Sequence, residues 1–108
     1  MISPGIYFAE WNIAMNLDKS KKRILKKVKM GFQGYPEISI DYFGSSADVA
    51  SEVAVTFVLE EAAESMVERF KSSGDAREDE VIQSAIVKMI ERSGAKTIKQ
   101  GNSVVLMD

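Results

Sequence analysis

The 108-residue sequence contains no cysteine and no histidine. Without cysteine, the chain forms neither a disulfide framework nor a thiolate metal site. Without histidine, it lacks the most common general base and the most common metal ligand in proteins. Serine–histidine and cysteine–histidine nucleophile systems are therefore excluded. We expect a protein that is not an enzyme and that binds no metal and no other cofactor.

Long apolar runs are missing too. No stretch approaches the ~20 apolar residues that span a bilayer, and residues 1–4 lack the basic side chains that begin a signal peptide. The glycine spacings of phosphate-binding loops are also missing. With 45% hydrophobic and 28% charged residues, the composition is typical of a globular domain. We therefore expect a single domain over residues 1–108, located in the cytoplasm.

The first half of the chain shows mainly the two-residue alternation of β-strands. Apolar and aromatic residues alternate with others over 6–13, 23–32, 38–43 and 53–59, and residues 16–20 and 34–37 have the composition of turns. Segment 23–32 is ambiguous, because Ile24, Leu25 and Val28 also fit one face of a helix. A single helix from about Asp48 to Phe70 is an alternative to the fourth strand, although the β-branched residues there favour a strand.

The second half favours helices. Residues 59–70 carry apolar side chains at helical spacing, and a second helix is predicted after Asp75, with Glu78 completing a capping pattern and Gly94 ending the helix. Segments 96–99 and 103–107 then form two short strands around a hairpin signal. The predicted fold is α+β: an antiparallel β-meander with two amphipathic helices packed on one face and a C-terminal β-hairpin.

Half of the basic residues, seven of fourteen, lie within positions 19–29. Clustered cations neutralise phosphates, so this segment is a candidate nucleic-acid-binding site. However, lysine outnumbers arginine six to one here, and bidentate recognition favours arginine. The sequence pI of about 5.2 also argues against a dedicated nucleic-acid binder. A solvated hairpin that resists aggregation is the simpler interpretation, because lysines on strand edges block unwanted pairing. The residues concerned are Lys19, Lys21, Lys22, Arg23, Lys26, Lys27 and Lys29.

Acidic residues dominate the second half. Glu60, Glu64 and Glu68 recur every four residues, and Asp75 and Asp79 follow shortly after. Carboxylates in such a series suggest Mg²⁺ ligands or an acid–base pair, and residues 75–80 suggest Ca²⁺. The ligand alternation and glycine of an EF-hand loop are missing, however. A solvated helix face and helix capping explain these residues more simply.

These observations favour a protein-binding function. We expect a non-enzymatic module, such as an immunity protein or antitoxin, that neutralises a toxin by occluding its active cleft. The predicted partner-binding face is acidic and consists of Glu60, Glu64, Glu68, Asp75 and Asp79, which suits a basic, nuclease-like toxin. The alternative is a nucleic-acid-binding accessory protein that uses segment 19–29. The opposite charges of the two halves would also suit a homodimer.

Overall fold

The computed structural model describes the backbone of residues 4–107 and the side chains of residues 17–107. Within these residues the fold is α+β, which confirms the predicted class. The elements in chain order are α1 (Pro4–Lys29), β1 (Glu37–Gly44), β2 (Glu52–Val58), β3 (Met66–Lys71), a 3₁₀ turn (Ala76–Glu78), α2 (Glu80–Ser93), β4 (Thr97–Gln100) and β5 (Val105–Leu106).

The strands form one mixed sheet in the order β3-β2-β1-β4. Strands β1, β2 and β3 form an antiparallel meander, of which only β1 and β2 correspond to predicted strands, and β4 and β5 both pair with β1 in parallel. The predicted C-terminal hairpin is therefore wrong. The chain does not reverse at Gly101, whose N–H donates to the carbonyl of Ile40 at 2.9 Å. It continues along β1 instead.

Strands β1 and β2 form where alternation predicts them. Side chains on β1 are alternately buried and half-buried, with Ile38, Ile40 and Tyr42 turned to the core. In the antiparallel register Ile40 lies opposite Val55, so apolar side chains of both strands share one face of the sheet. This pairing also decides the question about residues 48–70: the β-branched segment is a strand and not the start of a long helix.

The first two predicted strands, 6–13 and 23–32, are wrong, and so is the turn at 16–20. The backbone is one continuous helix from Pro4 to Lys29. The alternative helical face of segment 23–32 is the one observed: Ile24 is buried and Val28 packs against the core. Leu25, by contrast, is 44% exposed. Helical spacing matters here because residues four apart lie on the same side of a helix.

The predicted helix over 59–70 is also wrong. Residues 59–65 form a loop in which Ala62 has φ +63°, a left-handed conformation that interrupts any helix. Met66–Lys71 then pairs with β2 in antiparallel register. The hydrogen bonds of this pairing outweigh the weak local helical pattern, which is a tertiary effect that spacing alone does not reveal.

Helix α2 forms as predicted, with a shifted start. Asp79 is its N-cap and accepts hydrogen bonds from the N–H groups of Val81 and Ile82 at 3.1 and 3.2 Å. Asp75, the predicted cap, caps the preceding 3₁₀ turn instead. Gly94 ends α2 at φ +66°, a conformation that glycine adopts without strain.

Two helices cover one face of the sheet, but only α2 is one of the two helices that were predicted to do so. Ile24 from α1 and Ile82, Ile86 and Ile90 from α2 join the inward residues of β1, β2 and β4 in one buried cluster. The opposite face carries Ser39, Asp41, Thr56 and other half-exposed side chains, with the guanidinium of Arg69 lying 5.3 Å from the ring centroid of Phe43. Among the described residues, neither helix has the length and apolarity needed to cross a membrane.

Candidate functional site

The five acidic residues predicted to form one partner-binding face are divided by the structure into two groups. Glu60 and Glu64 are exposed in the loop between β2 and β3, and Glu68 is exposed on β3. Asp79 is occupied with capping α2 and accepts a hydrogen bond from the Ser72 hydroxyl at 2.8 Å. Asp75 is paired with Arg77. Only the first group is therefore available to a partner.

One residue of the first group, Glu68, lines an apolar groove of about 490 Å³ between the sheet and α2. Phe57 of β2 and Met66 of β3 lie opposite each other in the sheet and line one wall, and Met89 of α2 lines the other. Glu68 and Arg92 are the charged residues at its rim. We call this recess the edge groove, because β3 is the last strand on this side of the sheet.

The seven basic residues of segment 19–29 lie on α1, not on a predicted strand. Lys19, Lys22, Lys26 and Lys29 are exposed and spaced by three or four residues, so they lie along one side of the helix. We call them the lysine stripe. The other three are beside it: Arg23 and Lys27 are exposed, whereas Lys21 is half-buried and pairs with Glu78. Arg23 pairs loosely with Glu91, at 3.5 Å between nitrogen and oxygen.

A second recess, of about 350 Å³, lies where α1, β1, the 3₁₀ turn and the end of β4 meet. Its inner wall is a chain of hydrogen bonds. Gln83 donates from Nε2 to the Tyr42 hydroxyl at 3.0 Å, and that hydroxyl donates to Oε1 of Gln100 at 3.0 Å. Burial raises the pKa of Tyr42 above its ordinary value of 10.0, so the phenol stays protonated at neutral pH and donates. We call this recess the polar cavity.

An ion pair forms the rim of the polar cavity. Two nitrogens of Arg77 donate to the Asp75 carboxylate at 2.8 and 3.0 Å, and Arg77 also donates to the carbonyl of Asp48 at 2.9 Å. The Asp75 carboxylate accepts the backbone N–H of Arg77 as well. The hydrogen bonds from the Arg77 side chain lower the pKa of Asp75 below its ordinary 3.8. The pair therefore fixes the 3₁₀ turn against the loop before β2.

Replacement of Asp75 by asparagine tests this role through pH. A carboxyl with a lowered folded-state pKa stabilises the fold above its ordinary pKa, and that stabilisation is lost as pH falls through the folded-state value. We expect Asp75→Asn to lower the free energy of unfolding by about 1–2 kcal/mol near pH 7 and by less at an acidic pH well below 3.8. Urea unfolding across this pH range measures the effect. A deficit that is equally large at both pH values would contradict it, and Asp48→Asn is the exposed control.

Sequence reasoning missed Tyr42, Gln83, Gln100 and Arg77, which build the polar cavity. A signal was present for two of them. Tyr42 continues the alternation of Ile38 and Ile40, which places a hydroxyl in the core, and Gln83 shares its helix side with Ile86 and Ile90. A buried polar side chain requires a partner, so both positions mark a polar network. Among side chains 17–107, no three acidic residues are grouped closely enough to hold a metal ion.

No protein-family model, curated protein or solved structure matches this chain. Among the features of the described residues that bear on function are the edge groove, the lysine stripe and the polar cavity.

Proposed function

We propose that this protein is a non-enzymatic binding module of the cytoplasm that captures a basic partner protein along β3 and the edge groove. An immunity protein or antitoxin that occludes a toxin's active cleft is the kind of protein this describes. One observation carries the proposal: an exposed, partly apolar strand ends the sheet beside an apolar groove, with the unpaired Glu68 at the rim of the groove.

The outer edge of β3 pairs with no strand among residues 4–107. Five of its six residues are exposed, and Met66 and Val67 are 62% and 55% exposed. An unpaired strand with apolar side chains offers backbone hydrogen bonds to any extended segment, and natural proteins usually protect such edges. Addition of a strand to a sheet edge is an established mode of peptide recognition. The first half of β3 is therefore suited to receive a strand from a partner.

Charge defines the chemistry of that partner. Glu60, Glu64 and Glu68 form no salt bridge with another described side chain, so their charges remain available. Leu59, which precedes them, is 57% exposed. A segment that carries both apolar and basic side chains matches this surface: its apolar side chains enter the edge groove, and its basic ones meet Glu68 at the rim and Glu60 and Glu64 in the loop before β3. Complementary charge would also accelerate the encounter.

Affinity capture with charge-altered variants tests the proposal. The tagged full chain is compared with a Val67→Lys, Glu68→Lys double variant, which places positive charge on the β3 edge. The control is Val81→Lys with Glu91→Lys, an equal charge change on α2, where Val81 is 72% exposed. We expect one stoichiometric, nuclease-resistant partner that the control retains, and an affinity at least about tenfold lower, ~1.4 kcal/mol, for the β3 variant.

Two results would contradict the proposal. Equal retention of the partner by the β3 variant and the control would place the interface elsewhere. A protein whose β3 edge binds only a second copy of itself would be a homodimer, and sedimentation of the wild type and the β3 variant at several concentrations distinguishes that case.

The lysine stripe supports a second candidate function, binding of nucleic acid. A single helix face presents Lys19, Lys22, Lys26 and Lys29 over eleven positions, about 15 Å of helix. Evenly spaced cations on a rigid element suit a phosphate backbone, and one of them, Lys22, is held by Asp18 at 3.0 Å. The stripe therefore favours contact with phosphates and not with base edges.

Oligonucleotide binding at several salt concentrations measures this second function. We expect Lys22→Glu with Lys26→Glu to reduce the slope of log affinity against log salt by about 2, because each phosphate contact contributes nearly one unit. The exposed pair Lys71→Glu with Lys96→Glu carries the same charge change outside α1. An identical slope for both double variants would exclude the stripe as the binding surface.

A further inference from the structure

An apolar cavity of about 290 Å³ lies between the C-terminal halves of α1 and α2, and we call it the interhelix cavity. Ile24 of α1 and Val87 and Ile90 of α2 line it, and all three belong to the buried core. Met30, just past the end of α1, also lines it and is 54% exposed. A methionine side chain is flexible and adapts to what it contacts. The cavity therefore reaches from core side chains to an exposed, adaptable one.

The charged residues that line the interhelix cavity are mostly positive. They are Arg23, Lys26, Lys27 and Glu91, three cations and one anion, which sum to +2. The whole chain carries a net charge of −2, so the positive charge is a local property of this cavity. Lys26 and Lys27 are exposed and form no salt bridge with another described side chain. Arg23 and Glu91 are 3.5 Å apart, which is longer than a strong charge-assisted hydrogen bond.

Two lysines can line an apolar cavity because a lysine side chain covers apolar surface with its methylene groups and keeps its ammonium group in water. The charges of Lys26 and Lys27 therefore belong at the opening of the cavity. Glu10 is the acidic residue of α1 that precedes the described side chains, and it lies sixteen residues before Lys26 on the same helix. That is about 24 Å along the helix axis, too far for an ion pair. The opening is therefore positive.

A polar recess of about 230 Å³ adjoins the interhelix cavity, since Arg23, Val87 and Glu91 line both. It adds two cations, Lys19 from α1 and Lys88 from α2, and no further acid. An anionic group bound beside the apolar cavity would therefore meet cations from both helices. Apolar surface next to such a group of cations is complementary to a molecule that is apolar at one end and anionic at the other.

We propose that the interhelix cavity binds a small amphipathic anion, a molecule with an apolar chain and a carboxylate head. The chain lies against Ile24, Val87 and Ile90, where binding removes apolar surface from water. The head lies at the opening with Lys26 and Lys27. A volume of about 290 Å³ is close to the lower end for small-molecule sites and suits one short chain. The site involves neither β3 nor the edge groove, so it is separate from the proposed capture of a partner protein.

Titration of the full chain, with ¹³C-labelled methyl groups on isoleucine and valine, tests the site with three probes. We expect octanoate to give saturable shifts in the methyl signals of Ile24, Val87 and Ile90. Hexanoate should bind about tenfold more weakly, because two fewer methylene groups are buried. The neutral probe 1-octanol has an eight-carbon chain without the charge, and it should bind at least about fivefold more weakly than octanoate.

A charge-reversal pair separates the role of the head from that of the chain. Lys26→Glu with Lys27→Glu makes the opening negative, so octanoate affinity should fall at least about tenfold while 1-octanol affinity stays unchanged. Lys71→Glu with Lys96→Glu carries the same charge change on exposed residues that do not line the cavity, and it should bind octanoate like the wild type. Dispersed methyl spectra show that each variant is folded.

Four results would overturn the proposal. Octanoate may not give saturable methyl shifts, it may bind no better than 1-octanol, or the folded Lys26→Glu, Lys27→Glu variant may bind it like the wild type. The fourth is a set of octanoate shifts in Val55 and Val67, which line the edge groove, in place of shifts in Val87 and Ile90.

Discussion

Replacement of Ile86 by alanine is expected to lower the free energy of unfolding by about 3–5 kcal/mol. Ile86 is 0% exposed and lies in the middle of α2, in the cluster that joins this helix to the sheet and to Ile24 of α1. Truncation of a buried isoleucine loses its burial and leaves a cavity, which together cost about 2–5 kcal/mol. Because domains of this size are stable by only about 5–15 kcal/mol, this single change removes a large part of the total.

Urea unfolding followed by circular dichroism measures this loss. Val81→Ala on the same helix is the control, since Val81 is 72% exposed, and it should change stability by less than about 0.5 kcal/mol. A loss below about 1 kcal/mol for Ile86→Ala would mean that α2 is not packed on the sheet as described.

Replacement of Gly44 by alanine is expected to destabilise the fold by about 2–3 kcal/mol or more. A Cβ atom at Gly44 would lie 2.1 Å from the carbonyl oxygen of Val49 and 3.2 Å from a methyl group of Val104. The first contact is with backbone, which cannot rotate away. Gly44 also ends β1 and accepts the N–H of Met107 at 2.7 Å. A shift that relieves the clash would therefore disturb the pairing of the C-terminal residues.

Gly74→Ala is the matched control for this variant. A Cβ at Gly74 meets no atom within 4 Å, and its backbone is not in the left-handed region. Alanine at such a position restricts the unfolded chain and stabilises by about 0.4–1 kcal/mol. The two variants should thus change the urea midpoint in opposite directions. A midpoint shift of the same sign and size for both would refute the close approach of Val49 to Gly44.

Period-two alternation predicted the strands that pair in the core and failed where pairing is absent. Ile38, Ile40 and Tyr42 alternate because one face of β1 is buried and the other is not. The alternation in segment 23–32 looks similar, but Ser20, Ile24 and Val28 lie four apart and face α2 and the core. A short apolar segment fits both periods. Only the elements that pack against such a segment decide whether it becomes a strand or a helix.

The opposite error occurred at β3. Its apolar residues fit a helical stripe, yet the segment pairs with β2, and Met66 and Val67 remain exposed. Local spacing predicts burial on a helix face, whereas the sheet leaves both faces of this edge strand largely open. The sequence therefore did not reveal that this apolar surface is exposed, because its residue spacing predicted a buried helix face. The acidic residues beside it were predicted, but their separation from Asp75 and Asp79 was not.

The polar cavity was not predicted, because its residues come from distant segments. Tyr42, Gln83 and Gln100 meet only when β4 lies beside β1 and α2 crosses above them. No residue spacing in the sequence predicts that these three side chains come together. Gln83 nevertheless lies on the same side of its helix as Ile86 and Ile90, which is an unusual position for a polar residue. A polar residue on a buried helix face indicates a hydrogen-bond network with other parts of the chain.

The parallel pairing of β4 with β1 has a consequence for how the chain is made. Glu37 pairs with Thr97, and Ile40 with Gln100. Strand β1 therefore pairs with a strand that is synthesised about sixty residues later. Contacts between such distant segments form slowly, because a long loop must close first. During translation the three antiparallel strands and both helices leave the ribosome before the second edge of β1 has a strand to pair with. Completion of the sheet therefore depends on residues 97–106, and in a nascent protein halted before residue 97 the edge strand on this side of the sheet is β1 and not β4.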